Sequence, residues 1–286
     1  MTYRIRQVSS SDRNDVLDIC KNNWDGHDYL PSVIDKWLTD PKRHVCGVET
    51  DGKLVAIACI SLIEAGKTGW MEGLRVHVDY RKRGYAEALT EHVIEKGREL
   101  HAQRLRYATS TENAISLRMG DKNGFRKIVE MAVLWLENTK KAQTDGTRFQ
   151  ISPSEPKEIH ELLRKNPHLI PEGILVYDWR ALDYNSANLK SLEAFRFFKE
   201  LKNGEIHSLS FGYQRADSSR WKLTIYATDQ ISFSSQLHHN VNVALENGFQ
   251  SVTCTYQVEH EKDLQPTNLS ENHWQTHLAL LEKKLQ

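Results

Sequence analysis

No apolar run in this 286-residue chain is long enough to cross a bilayer. The longest, Leu54 to Ile63, falls well short of the roughly 20 residues a membrane helix needs. An excess of charge is also missing. Lys+Arg and Asp+Glu number 38 each, so no overall field draws the protein to nucleic acid or to an anionic membrane. Any anion site must be local. Cysteine is scarce: Cys20, Cys46, Cys59 and Cys254 have neither the pairing of a metal site nor the density of a disulfide scaffold, so no metal is expected. The segment Met1–Arg6 lacks the apolar core of a signal peptide. Together these absences predict a cytoplasmic protein. Apolar residues at 39% and charged residues at 27% suit a globular chain, long enough for one large or two ordinary domains.

The pattern of elements is mixed. Tyr3–Val8 alternates as a strand, and Ser9–Asp12 offers caps for a helix carrying Val16, Leu17, Ile19 and Cys20. Pro31–Leu38 reads as a second helix. Asp51-Gly52 separates two β-rich runs, His44–Glu49 and Lys53–Ile63, as a hairpin turn does. A strand around Trp70–Val78, a helix through Ala86–Leu100, a strand Leu105–Thr109, a helix Asn113–Asn123 and a strand Phe125–Glu137 follow. The polar, aperiodic stretch from Asn138 to Thr147 predicts a division into residues 1–138, a linker 139–147, and residues 148–286. The later part echoes the earlier. Phe149–Glu155 before Ile159, Leu162 and Leu163 resembles Ile5–Ser11 before Val16, Leu17 and Ile19. Leu223–Thr228 echoes Leu105–Thr109, and Asn247-Gly248-Phe249 echoes Asn123-Gly124-Phe125. Two copies of one α/β fold, or chance likeness of short segments, both account for this. The later half has no basic glycine loop, so a second copy would be degenerate.

Residues 70–86 are the most informative. They read as strand, turn and glycine-containing helix entry, ending Arg81-Lys82-Arg83-Gly84-Tyr85-Ala86. Gly84 lets the backbone approach an oxyanion without a β-carbon in the way. Amides at the start of the following helix attract phosphate through unpaired N–H groups and the positive dipole end, and Arg81 and Arg83 add charged donors. Each contribution is worth about 0.3–2 kcal/mol, enough in sum to grip a diphosphate.

This loop and its surroundings resemble the acetyl-coenzyme A motif of the GNAT (Gcn5-related) N-acetyltransferase superfamily, Arg/Gln-x-x-Gly-x-Gly/Ala. Asn113–Phe125 matches that family's following Asn-to-Gly-Phe segment in length. The resemblance covers roughly residues 3–137. It implies a GNAT fold with a mixed, mostly antiparallel sheet, acetyl-CoA as cosubstrate, and a splayed strand edge where backbone at Leu74, Arg75 and Val76 bonds the pantetheine. Residues 81–86 would hold the pyrophosphate, and Asn113 would contact the pantetheine arm. Gly73, inside the strand, fits a bulge there.

Acetyl transfer from a thioester to an amine needs a neutral amine, an oxyanion donor and a departing thiolate. Glu72, one residue before Gly73, is the candidate base; a strand glutamate paired with a surface cation is the competing reading. His77 and His27 are reserves. The resemblance also implies a tyrosine proton donor in a Leu-Tyr-x-x-x-Gly-Phe pattern. Here that slot holds Gly120, so no acid is assigned.

Asp28-Tyr29-Leu30-Pro31, with Trp37-Leu38-Thr39-Asp40-Pro41 and Glu72-Gly73-Leu74-Arg75-Val76, resembles the histidine N-acetyltransferase and N-acetyltransferase 16-like group. That resemblance implies a small-molecule amine acceptor, plausibly the α-amine of histidine or a related amino acid. Asp28 would hold its ammonium or imidazole and Tyr29 would wall the pocket. Alternatively, Asp28 caps a helix and Tyr29 packs in a helix junction. A protein lysine or N-terminal acetyltransferase and a non-catalytic coenzyme A sensor remain open, as do monomer and homodimer.

Overall fold

The computed structural model describes residues 2–23, 26, 28–137, 150–214, 219–264 and 273–285. The expected linker at 139–147, like Trp24, Asp25 and His27, lies outside the described residues. The chain forms two compact units that are interleaved along the sequence. The first comprises Met1–Tyr107, Ile115–Arg126 and Leu281–Gln286, and the second Ala108–Ala114 and Lys127–Leu280. Division by contacts therefore assigns most of the strand Arg126–Leu136 to the second unit, because its ladder partner is a later strand, Ser251–Gln257.

In the first unit the order is β1 (Arg4–Gln7), α1 (Arg13–Cys20), α2 (Leu30–Thr39), β2 (Arg43–Thr50), β3 (Lys53–Ile63), β4 (Thr68–Val76), α3 (Tyr85–Glu99), β5 (Arg104–Ser110) and α4 (Ala114–Lys122). Strands β1 to β4 pair antiparallel in sequence order. The tight β2–β3 turn is built by Asp51 and Gly52, both at positive φ (51° and 76°), the geometry that matches the twist of a hairpin. β5 joins β4 in parallel. Val16 and Ile19 of α1 and Leu30, Ile34 and Trp37 of α2 pack on Val45, Leu54 and Ile57 to form a buried core. The chain end contributes as well: Leu285 N–H donates to Gln103 O (2.9 Å), and Glu282 pairs with the buried Arg106 (2.8 Å).

The second unit holds β6 (Arg126–Leu136), β7 (Ile151–Ser154), α5 (Pro156–Lys165), β8 (Ile174–Tyr177), β9 (Arg180–Asp183), α6 (Ser186–Lys190), β10 (Arg196–Lys202), β11 (Glu205–Gln214), β12 (Arg220–Ala227), α7 (Gln230–Glu246) and β13 (Ser251–Gln257). A last strand, β14, spans His273–Lys284. β7, β10, β11 and β12 pair antiparallel in that order, β12 and β13 in parallel, and β13 and β6 antiparallel. The β8–β9 hairpin is anchored by the buried Tyr226 hydroxyl, which accepts from Val176 N–H (2.8 Å) and donates to Ile174 O (3.2 Å). Within each unit the strand pairing is thus mixed and mostly antiparallel.

Each unit contains a parallel strand–helix–strand element, β4–α3–β5 and β12–α7–β13. This corrects the register of two sequence echoes. Leu223–Thr228 covers the end of β12, which answers to β4 and not to the Leu105–Thr109 strand β5. Asn247-Gly248-Phe249 closes α7, whereas Asn123-Gly124-Phe125 closes α4. The two tripeptides look alike because they make the same helix stop. Gly124 and Gly248 both lie at φ 76°, and Phe125 and Phe249 donate their N–H to Gly120 O and Ala244 O, each at 2.9 Å.

Candidate active site

β4 leaves its neighbours in two ways. Against β3 the register runs from Cys59↔Glu72 to Ile57↔Arg75, so Gly73 and Leu74 oppose the single residue Ala58. This is the bulge that Gly73 predicts, with φ at +75°. Against β5 the ladder has only three pairs, Thr68↔Arg104, Gly69↔Leu105 and Trp70↔Arg106. Beyond Trp70 no β4–β5 pair follows among the described residues, in keeping with the splay that the family resemblance implies. Along that edge Leu74 O accepts from Arg75 Nη1 (2.9 Å) and Val76 O from Arg81 Nε (3.3 Å).

At the end of β4 the chain turns through Val78–Tyr80 into the basic loop. Arg81, Lys82, Arg83 and Gly84 are all exposed. Lys82 (φ 61°) and Gly84 (φ 82°) are left-handed while Arg83 between them is not, an alternation that turns successive N–H groups into one concavity. A Cβ on Gly84 would meet nothing within 4 Å, so conformation and not space requires the glycine, and the ground in front of the loop is open. Gly84 is the N-cap of α3, and the first bond into the helix runs from Ala88 N–H to Gly84 O (3.0 Å). The N–H groups of Tyr85, Ala86 and Glu87 precede it and have no acceptor within the helix. Tyr85 itself is buried against Tyr3, rings 5.3 Å apart. The arginine side chains are tied to the rim: Arg81 Nη2 donates to Asn23 Oδ1 (2.9 Å) and Arg83 Nη2 to Asp79 O (2.9 Å). The fold therefore presents a positive, amide-lined cradle that fits a diphosphate.

Glu72 lies beside the bulge, largely buried. Its Oε1 accepts from Arg43 Nη1 (2.5 Å) and from Ser61 Oγ (3.4 Å). Arg43 also pairs with Asp40 (3.3 Å) and lies over the Trp37 ring at 4.8 Å. Trp37 in turn covers Gly73. Arg43 was not legible in the sequence, since nothing local links it to a residue on β4.

Asp28 and Arg75 meet across the sheet edge. Arg75 Nε and Nη2 donate to Asp28 Oδ2 (2.8 Å) and Oδ1 (3.3 Å). Asp28 also accepts from Leu30 N–H (3.0 Å), capping α2, and from Asn23 Nδ2 (3.2 Å), and its side chain is only 2% exposed. Burial opposes ionisation of Asp28, but the Arg75 and Leu30 bonds bring its carboxyl below the usual range. Both oxygens are thus engaged by the protein. Arg75, expected on the cofactor side, directs its guanidinium to Asp28 and to the face of Tyr29 (5.4 Å). Tyr29 sits edge-on to Trp37 (6.2 Å) and stays 38% exposed. Protein packed around its phenol pushes it up to about 12.

His77, a reserve base in the sequence, is buried with both ring nitrogens near partners. Its Nδ1 accepts from Asp79 N–H (3.2 Å), which places the ring proton on Nε2, 3.2 Å from Asp18 Oδ2. It is a buried cap of the 78–80 turn. Asn113 belongs to the second unit, where its N–H donates to Ser110 O (3.0 Å) just before α4.

These features meet an independent signal. Residues 12–125 match the model of the Acetyltransferase (GNAT) family. They are a GNAT acetyltransferase domain. Probable N-acetyltransferase 16 from Homo sapiens is 25% identical over 207 residues, 63% of this chain and 53% of that protein. Histidine N-acetyltransferase from Oreochromis niloticus is 32% identical over 82 residues, 29% of this chain and 24% of that protein. The chain thus spans about half the length of the first relative and less of the second. The solved tandem GNAT protein from the clavulanic acid biosynthesis pathway, without AcCoA, is 12% identical, with a TM-score of 0.60 over 99% of this chain and 98% of that one. This likeness carries the fold and supports a second GNAT-like domain.

Among its described residues the second unit shows no comparable cradle. Its β12–β13 ladder is continuous over six pairs, Arg220↔Ser251 to Ile225↔Tyr256. The start of α7 is capped from within: Asp229 Oδ1 accepts from Ser232 N–H (2.8 Å), with Lys202 3.5 Å and His207 3.7 Å from its other oxygen. Burial of Asp229 works against its charge, yet the Ser232 bonds and Lys202 bring it down to about 2. A carboxylate of the chain thus takes up an amide at the start of α7. Among the described residues no His, Cys, Asp and Glu cluster is arranged for a metal ion, and no helix is long and apolar enough to cross a membrane.

Proposed function

We propose that this protein transfers an acetyl group from acetyl-CoA to the α-amine of a small amino acid, histidine or a close relative, in a ternary complex. The observation that carries the reading is the pairing of one open, amide-lined helix entry at Gly84 with a bulged strand whose ladder to β5 stops at Trp70↔Arg106. The relatives named as histidine N-acetyltransferase support the acceptor class.

Arg81 to Ala86 would hold the pyrophosphate, and the strand edge at Leu74–Val76 would align the pantetheine. When bound, the thioester supplies the acyl carbon. A backbone N–H near the bulge would donate to the developing oxyanion. The acceptor arrives as an ammonium, and Glu72 takes its proton directly or through one water, its Oε1 fixed by Arg43. Tyr29, backed by Arg75 and Asp28, walls the acceptor side.

The test is a panel of free amino acids and amines with acetyl-CoA, following thiol release. Histidine as the sole strong acceptor is the expected outcome; a flat response overturns the small-amine reading in favour of a protein acceptor. Glu72→Gln should retain coenzyme A binding and lose about 10²–10⁴-fold in kcat, the span of a positioned general base. Full activity in that variant would remove Glu72 from the chemistry.

A further inference from the structure

The point where β4 and β5 part sets the gap between them. The last paired residues there are Trp70 and Arg106, both only 2% exposed. A cation buried this deeply keeps its place only where carboxylates meet it. Two do, and they come from the strands on either side, since in the first unit β5 lies between β4 and the end of β14. Glu282, on β14, accepts at Oε2 from Arg106 Nε (2.9 Å), with Nη2 at 2.8 Å. Glu64, on the turn before β4, places its Oε2 3.8 Å from Nη1. Arg104, two residues earlier on the same face, repeats the arrangement. Its Nη2 donates to Glu64 Oε2 (2.9 Å) and its Nε to Thr68 Oγ1 (2.7 Å), and Nε lies 3.9 Å from Glu282 Oε2.

Other contacts hold the end of the chain to the same spot. Leu285 N–H donates to Gln103 O (2.9 Å) and Lys283 Nζ to Asn123 O (2.8 Å). Leu281 and Leu285 reach the helices, with methyl carbons 3.0 Å from a Cβ built on Gly120 of α4 and 3.4 Å from one built on Gly97 of α3. The odd-numbered side chains of this segment therefore face α3 and α4, and Glu282 turns to the opposite face with Arg104 and Arg106. On β4 that opposite face carries Thr68, Trp70 and Glu72 in turn. Glu72 is thus the next residue on that face after the last fastened pair.

We propose that Glu282 is a positioning residue for acetyl transfer: through Arg106 it fixes the point from which β5 leaves β4, and with it the gap in which the thioester is aligned toward Glu72. The inference rests on the acetyl-CoA reading above. In this role Glu282 touches neither cofactor nor acceptor. The loop at Arg81–Ala86 owes its shape to local turns at Lys82 and Gly84 and does not need the tie. Loss of the tie therefore separates two quantities. Coenzyme A affinity, held by the loop, stays, while alignment of the acyl carbon is lost. A misplacement of about 1 Å at the reacting atoms costs on the order of 10²-fold in rate. A looser gap also discriminates less between acyl groups, where one methylene is worth about ten- to two-hundredfold in a fitted pocket.

The test uses the full chain. Glu282→Gln strands Arg106 without its nearer carboxylate and endangers the fold, so the double variant Arg106→Met/Glu282→Met carries the decision. It removes both charges together, keeps much of the volume and leaves Arg104 paired with Glu64 (2.9 Å). Circular dichroism confirms that it is folded at the assay temperature, and calorimetry measures coenzyme A affinity, which should be little changed. Its kcat should fall about ten- to a hundredfold, and its kcat/KM for propionyl-CoA relative to acetyl-CoA should rise about tenfold. Lys283→Met, on the same strand but facing α4, should keep the native kcat and the native acyl ratio. A folded double variant with native kcat and native acyl ratio overturns the inference, and so does an equal loss in Lys283→Met. Absence of coenzyme A binding in the native chain would instead overturn the acetyl-CoA reading.

Discussion

Replacing Gly73 by alanine probes the joint between the bulge and the acceptor side. The residue sits at φ +75°, a conformation that costs a residue with a β-carbon about 1–2 kcal/mol. The new Cβ would also lie 2.7 Å from Cζ3 and 3.1 Å from Cη2 of Trp37. Trp37 has little room to retreat. It is 5% exposed, bears Arg43 on its face at 4.8 Å and Tyr29 at its edge at 6.2 Å. Crowding of this kind in a packed core adds about 1–3 kcal/mol. The sum, about 2–5 kcal/mol, corresponds to a loss of roughly 4–20 °C in the melting temperature at 2–4 °C per kcal/mol. Thermal unfolding followed by circular dichroism measures it, and acetyl-CoA turnover below the melting point measures the effect on Glu72 and Leu74. A melting temperature within about 2 °C of the native value, with unchanged kcat/KM, would refute the claim that Trp37 and the bulge hold each other in place.

Further outcomes follow from single sites. Calorimetry should find one acetyl-CoA per chain, and Gly84→Val, which forces a β-branched residue into φ 82°, should abolish that binding; residual binding at a second site would contradict the capped α7. Asp229→Ala should cost about 1 kcal/mol as a lost helix cap while leaving acetyl-CoA affinity unchanged. Bonds from Arg6 hold the Asp12 carboxyl down from 3.8 to about 2, with burial opposing and Ser9 assisting. Because the folded pKa is depressed, the associated stability, about 2 kcal/mol, is present above pH 4 and lost as pH falls toward 2. Asp12→Asn should therefore be less stable than the native protein at pH 7 and nearly equal to it at pH 2 by urea unfolding.

Some of this was readable from the chain alone. The hairpin at Asp51-Gly52, the bulge at Gly73 and the loop at Gly84 depend on local backbone chemistry, where glycine and turn residues announce positive φ. The repeat was harder to register. Asn-Gly-Phe recurs because both copies stop a helix, so a shared local task resembled a shared position in the fold. Asp28 carried two readings, and the contact with Arg75, 47 positions away, was legible in neither. The partners of His77, Asp79 N–H and Asp18, likewise come from the fold.

What the order of residues determined by itself was the set of elements and the basic glycine loop, because helix caps, turns and left-handed glycines act over a few residues. Which groups meet at the candidate site was decided by tertiary structure. Arg43 reaches Glu72 across 29 positions, and Glu282 reaches Arg106 across 176. Such contacts arise from strand register, which is not written in any short stretch of sequence.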